Sequence, residues 1–218
     1  VQKFQTEVTA LKAEADSAKT EIDKLKKPVK RLAINLTQRR QFKTEMQQDN
    51  LKLAIEWAKD PERPRRDMLY GMYEEVWDSD GHTIGETRKA ILKVVGSPFG
   101  VFKKGGDEID EQATRLLQKK WFEDYRSRFQ EAQFWGHSLV QFVEMAESKE
   151  PGMKFEFKNI ELIPREHVRP EEGFIVFDTS HETGLNFRDP AIKKTLKLIE
   201  MGSPKFLGLL RVATKEYI

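Results

Sequence analysis

The chain has 218 residues, 34% charged and 38% hydrophobic, enough apolar material for one sizeable core plus a peripheral segment, or for two small domains. A formal net charge of +2 excludes a protein that coats nucleic acid by bulk charge alone. The absence of cysteine excludes a disulfide framework, a thiolate zinc site and a cysteine nucleophile, and it fits a reducing cytosol.

No run approaches the ~18 uninterrupted apolar residues of a membrane span. The N-terminus also lacks an apolar signal core followed by a cleavage site. The expectation is a soluble intracellular protein with no membrane partner. Val1 is not an initiator methionine, so further residues are expected before it.

The first predicted element spans residues 1–27. Val1, Phe4, Val8, Leu11, Ala15, Ala18, Ile22 and Leu25 recur in steps of three and four, which is a heptad seam. Pro28 removes a helical donor and ends the pattern. The seam reads as an oligomerising coiled coil through Phe4, Val8, Leu11, Ile22 and Leu25, or as one amphipathic helix packed on its own domain.

Residues 28–65 read as a basic helical connector, with a helix predicted over 37–59 and Phe42, Met46, Leu53 and Trp57 on its apolar side. Asp60-Pro-Glu-Arg-Pro64 breaks it, since two prolines so close cannot sit inside a helix. Residues 24–66 hold thirteen Lys/Arg against five Asp/Glu. Arg39, Arg40, Arg63, Arg65 and Arg66 are therefore candidates for contacts to DNA phosphates, which are nonspecific and salt-sensitive. The simpler reading of the same charges, and the favoured one, is an ordinary solvated helix face and linker.

An α+β domain is expected over 66–218, helices first and a small antiparallel sheet after. Met68, Leu69, Met72, Tyr73 and Val76 follow helical spacing. Asp78-Ser-Asp-Gly81 makes a turn, and Thr83-Ile-Gly-Glu86 reads as a capping box opening a helix with Ile84, Ile91, Val94 and Val95 buried. A turn at 96–100 precedes a short strand over 101–103. Ile109, Ala113, Leu117, Trp121, Tyr125 and Phe129 recur every fourth residue, a spacing that drifts against the 3.6 period, so two helices or one bent helix are expected, with the break near Lys120. Trp121, Phe122 and Trp135 are placed at the hinge of helices and sheet, and Gly136 where side chains would collide.

Met153-Lys-Phe-Glu-Phe-Lys158 alternates with period two, its expected partner being 138–145 through a turn at Pro151-Gly152. A third strand is predicted over 174–177. Asp189-Pro190 is read as the N-cap and first turn of a helix that buries Ile192, Leu196 and Ile199 and stops at Gly202. Phe206, Leu209, Leu210, Ala213 and Tyr217 predict a last helix. It stops in mid-pattern, so the chain is expected to continue beyond Ile218.

Signals for chemistry are sparse. His82, His137, His167 and His181 are scattered, with no pair at i, i+4. Asp78-Ser-Asp-Gly81 superficially resembles a calcium loop, but Val76 and Thr87 then stand where the key ligands belong. The glycines at 96, 100, 105 and 106 do not match a phosphate-binding loop, and no G-x-S-x-G elbow exists. No catalytic, cofactor-binding or metal-ligating residue is nominated, and an enzyme is the least supported class.

The order of signals nevertheless resembles a known family. Arg65-Arg-Asp-Met-Leu-Tyr-Gly-Met-Tyr73 followed by Asp80-Gly-His-Thr-Ile-Gly-Glu-Thr-Arg-Lys89 resembles the helix pair that opens the Mu-like phage portal proteins. Phe134-Trp-Gly-His-Ser-Leu139 before a hairpin resembles the family's aromatic–Gly–x–Ser entry into a strand. Ile163-Pro164 through Arg169-Pro170 resembles the next element, and Gly208-Leu-Leu-Arg211 the passage into the following helix. The resemblance covers roughly residues 34–218 and rests on the ordered set.

The resemblance implies a ring subunit, usually one of twelve, at one capsid vertex. DNA would enter and leave through its channel, terminase would dock during packaging, and head-completion proteins would follow. Residues 66–218 would form the portal wing. Stem, clip and tunnel-lining parts would lie beyond Ile218, so no terminase contact is assigned. The implied location is the virion, and the host cytoplasm during assembly. Two other readings stay open: a cytosolic coiled-coil adaptor dimerising through residues 1–27, and a nucleic-acid-binding protein using the 24–66 surplus.

Overall fold

Why the middle of the chain folds as it does is visible in a computed structural model, which describes residues 46–148 and 155–218. The heptad positions Phe4, Val8, Leu11, Ile22 and Leu25, together with Arg39 and Arg40, lie outside the described residues. So does the turn at Pro151-Gly152.

Helices come first. Helix α1 (Gln48–Ala58) is followed by the proline-broken turn, α2 (Asp67–Ser79) and α3 (Gly81–Gly96). Asp80 alone separates α2 from α3, and its carboxylate accepts from the His82 amide, so Asp80 is the N-cap. This corrects the capping box expected at Thr83 and Glu86. The Thr83 hydroxyl donates to Asp80, while Glu86 pairs with Lys89 at 2.7 Å.

A small hairpin then closes on one bridge, Phe102–Ile109, in place of the short strand expected there. Helices α4 (Glu111–Leu117) and α5 (Lys120–Trp135) follow, broken at Gln118–Lys119, close to the expected point. The fourfold stripe cannot stay on one face of a straight helix, and the break resets it.

Strand β1 (His137–Glu147) pairs antiparallel with β2 (Phe155–Ile163), as the alternation implied, with Leu139 opposite Ile163 and an irregularity around Glu144. A single 3-10 turn (Arg165–His167) leads to a second antiparallel sheet, built from β3 (Val168–Arg169), β4 (Phe174–Ile175) and β5 (Leu185–Asn186). The predicted third strand thus exists, but in this second sheet.

The expected helix after Asp189 is corrected too. Asp189 does cap, and Pro190 does stand in the first turn, but α6 (Pro190–Lys193) lasts one turn. Residues Leu196–Glu200 form β6, antiparallel to the free side of β1 with Leu198 opposite Leu139. Leu196, Leu198 and Ile199 satisfy a helical and a strand pattern alike. The unpaired edge of β1 decides between them, because its amide and carbonyl groups need partners. Helix α7 (Leu210–Tyr217) closes the described chain.

The fold is α+β, with seven α-helices and two small antiparallel sheets among the described residues. Burial follows from strand alternation. Leu139 joins Ile163, Val168, Ile175, Phe187 and Leu196 between the two sheets. Its neighbour Val140 joins Ala132, Ile160 and Ile199 under α5, flanked by Trp121, Tyr125 and Phe142. A separate helical core gathers Leu51, Leu69, Tyr70, Met72, Tyr73, Trp135, Leu207 and Leu210. Trp121 and Trp135 therefore anchor different cores, not one hinge. The apolar side predicted for α1 also turns over: Leu51, Ala54 and Ala58 face inward, whereas Leu53 and Trp57 are 38% and 40% exposed.

Candidate functional site

The most heavily determined place in the molecule is the junction where α5 becomes β1. Gly136 sits there with φ +98°, a conformation side chains disfavour. A Cβ at Gly136 would lie 2.5 Å from the Phe206 carbonyl oxygen, and one at Gly208 would collide with the Phe134 carbonyl. Two stretches of main chain thus cross in direct contact, the α5–β1 turn and the strap 203–209 that enters α7. The Leu209 amide donates to the Gln133 carbonyl at 3.1 Å, tying the crossing from the outside.

Helix α2 holds the strap from the other side. Arg66 donates to the carbonyls of Pro204 and Phe206, and Tyr73 donates to that of Leu207 at 2.7 Å. A strap without regular structure needs such partners, because buried carbonyls left unbonded are costly. Arg66 also meets the Glu171 carboxylate and donates to the Tyr70 hydroxyl at 3.3 Å. Burial works against its charge, and Tyr70 and Glu171 outweigh that, so the guanidinium holds its proton more firmly than usual.

The Tyr70 oxygen lies 2.9 Å from His137 Nδ1. The Tyr70 hydroxyl also accepts from Arg66, and the imidazole tautomer sets which of Tyr70 and His137 donates to the other. The Nε2 of His137 is buried without a partner. Burial first, then the nearby Arg66 and Arg165 charges, hold the imidazole well below its usual range, so it is neutral at physiological pH. Burial likewise raises Tyr70 and Tyr73, so both stay phenols.

Arg165 completes the junction. Its Nε donates to the His137 carbonyl at 3.1 Å, and its Nη2 donates to Glu131 at 2.7 Å and to the Ser138 hydroxyl at 3.2 Å. Its guanidinium lies 4.8 Å from the Trp135 ring centre. Trp135 in turn meets Tyr70, Tyr73 and Trp77 with ring centres 5.8–6.1 Å apart. Chemically, this arrangement fixes the angle between helical layer and sheet. Most of its hydrogen-bonding groups are engaged with one another, with His137 Nε2 and Arg66 Nε left over.

Three of the arginines singled out in the sequence fall among the described residues, and they part company. Arg66 is 3% exposed and committed to the strap, so reaching a phosphate would require it to abandon four partners. Arg65 lies over Trp57 at 5.7 Å and pairs with Asp67 at 3.3 Å. Arg63 is exposed and pairs with Glu182 at 2.6 Å. Sequence reasoning missed the roles of His137 and Arg165. Their convergence depends on contacts between distant segments, and only Gly136 beside Trp135 gave a local sign of a tight crossing.

Among the described residues no helix is long and apolar enough to cross a membrane, and no group of three or more His, Asp or Glu converges as a metal site would need. A family model described as the portal protein of Mu bacteriophage matches residues 70–218, more than half of the chain. No curated protein matches it.

Proposed function

The chain belongs to the family of Mu-like bacteriophage portal proteins, and on that premise we propose that it is a structural subunit of the ring at the DNA-packaging vertex of the capsid. The ring, a dodecamer in this reading, forms the channel through which DNA enters and leaves. It also offers the platform on which terminase docks before head-completion proteins take its place. The carrying observation is the family match over 70–218, a family that is structural rather than catalytic.

The residues described here take the role of the wing. Two features of the fold support that reading. The junction at Gly136 is rigidly cross-tied, as a wedge that must keep its shape in a closed ring requires. Several large apolar side chains also stand exposed, including Leu92 at 68% and Phe102 at 59%, and a neighbouring subunit would cover them. The seam through Phe4, Val8, Leu11, Ile22 and Leu25 would add self-contact, and Arg39, Arg40 and Arg63 would meet DNA phosphates. The protein would act in the virion, and in the host cytoplasm during assembly.

Mass measurement and electron microscopy of the purified protein test this directly. Closed rings of uniform subunit number are the expected result. A dimer whose mass does not change with concentration would overturn the portal reading in favour of a coiled-coil adaptor.

A further inference from the structure

Between the turn 62–65 and the loop 179–183 lies a cleft of about 330 Å³ into which three arginines converge. Arg169 is the most informative. Its side chain is 6% exposed, yet no carboxylate stands within ion-pair distance among the described residues. Its guanidinium is satisfied only by main-chain carbonyls, those of Pro64 and of Thr179, the latter at 3.0 Å. Those two bonds join the walls of the cleft. A buried cation held by neutral partners is unusual, because burial removes solvation that an anion normally replaces. Burial lowers the Arg169 pKa; the Asp67 and Glu172 carboxylates oppose this without pairing with it, and the Arg65 charge adds to the lowering.

Arg65 brings a second unspent donor, since its Nε is buried without a partner. Arg63 enters from the mouth, where Glu182 of the opposite wall holds it at 2.6 Å with both side chains largely exposed. The hydroxyl residues Thr179 and Thr183 line the same space. Three arginines lining one space suit a group offering three or more acceptor oxygens better than a two-oxygen carboxylate. Glu62, Glu172 and Glu182 also border the cleft, which disfavours a run of closely spaced negative charges and favours one compact anion.

We propose that this cleft binds a single phosphate group, with Arg169 at its base, Arg63 and Arg65 meeting the remaining oxygens, and Glu182 as an intrachain competitor that occupies Arg63 until phosphate displaces it. The shared chemistry is the phosphate group. Its source is free phosphate or one phosphate of a DNA backbone, and the second of these rests on the portal reading.

Calorimetric titration of the 218-residue chain with inorganic phosphate at fixed ionic strength is the test. Removing Arg169 would also untie the two walls, so the informative variants are the exposed pair. Saturable binding is expected in the native chain, about tenfold weaker in Arg63→Ala and about threefold tighter in Glu182→Gln, with circular dichroism unchanged in both. Absence of saturable binding, constants that ignore both substitutions, or displacement by acetate as efficient as by phosphate each overturns the proposal. A short DNA duplex then identifies the source. Displacement of phosphate by duplex assigns the site to DNA. Saturable phosphate binding without displacement upholds the cleft as a free-phosphate site and removes Arg63 from the DNA path. Ring formation is read separately, so the two readings fail independently.

Discussion

At Gly136 and Gly208 the two main-chain segments touch, and nothing but hydrogen fits between them. Gly136→Ala combines a left-handed backbone with a collision against a carbonyl that cannot move without releasing Arg66 and Tyr73. The expected loss in urea unfolding is about 3 kcal/mol or more. Gly202 is the internal control, because its φ is also positive, at +81°, but nothing lies within 4 Å of a Cβ there. Gly202→Ala should cost about 1–2 kcal/mol, the conformational part alone. Equal losses at the two positions would show that the crossing is not tight in solution. His137 sets the pH response of the same junction. Its folded pKa lies below the unfolded value of 6.5, so the unfolded chain takes up a proton that the folded chain refuses. Its contribution is therefore complete above pH 6.5 and is lost as pH falls below that value, at up to ~1.4 kcal/mol per pH unit until the folded pKa is reached. His137→Asn keeps a hydrogen-bonding partner for Tyr70 and removes the titration. Thermal melts between pH 6.5 and 4.5 should fall less steeply for this variant than for the native chain. Parallel slopes would mean that other groups carry the acid sensitivity.

Helix starts show how local signals compete. Asp80 and Thr83 both offer a side-chain oxygen at the α2–α3 joint, and the chain uses Asp80, whose carboxyl is held below the usual range by the Thr83 hydroxyl and the His82 amide. Asp80→Ala should lower Tm by a few degrees, whereas Glu86→Ala should leave it nearly unchanged, because Glu86 reaches only the exposed Lys89. The opposite ranking would restore the capping-box reading. Much of the architecture was legible at this scale. The 68–76 stripe, the break before Lys120, the β1–β2 alternation and the Asp189-Pro190 cap all arise from spacing or from proline chemistry, which a sequence displays directly. The errors share a cause. Leu196, Leu198 and Ile199 fit two periods, and the choice fell to an edge of β1 nearly sixty positions away. On α1 the small Ala54 and Ala58 pack inward while the larger Leu53 and Trp57 stay outside, and residue size gave no hint of it. The junction and the cleft were the least legible parts, since Arg66, His137, Arg165 and Arg169 acquire their roles only when four segments meet.

For the whole molecule, the question is what the exposed apolar side chains are for. Leu92, Phe102 and Ile109 are 68%, 59% and 50% exposed and fall within one stretch from α3 through the hairpin that follows. Phe102 and Ile109 are cross-strand neighbours, so their side chains form a paired apolar tip, not scattered singles. Single exposed apolar residues are ordinary, but an exposed cross-strand pair suits a contact surface. In a closed ring each subunit presents two different faces, and such a tip suits insertion into the neighbour. Phe102→Ser combined with Leu92→Gln removes apolar surface that the isolated subunit does not bury. Its unfolding free energy should change by no more than about 0.5 kcal/mol. Self-association should weaken at least tenfold, which is about 1.4 kcal/mol, read by sedimentation across a concentration series. A variant that assembles like the native chain would place the subunit contact elsewhere. One that loses stability as a monomer would show that the tip serves its own subunit instead.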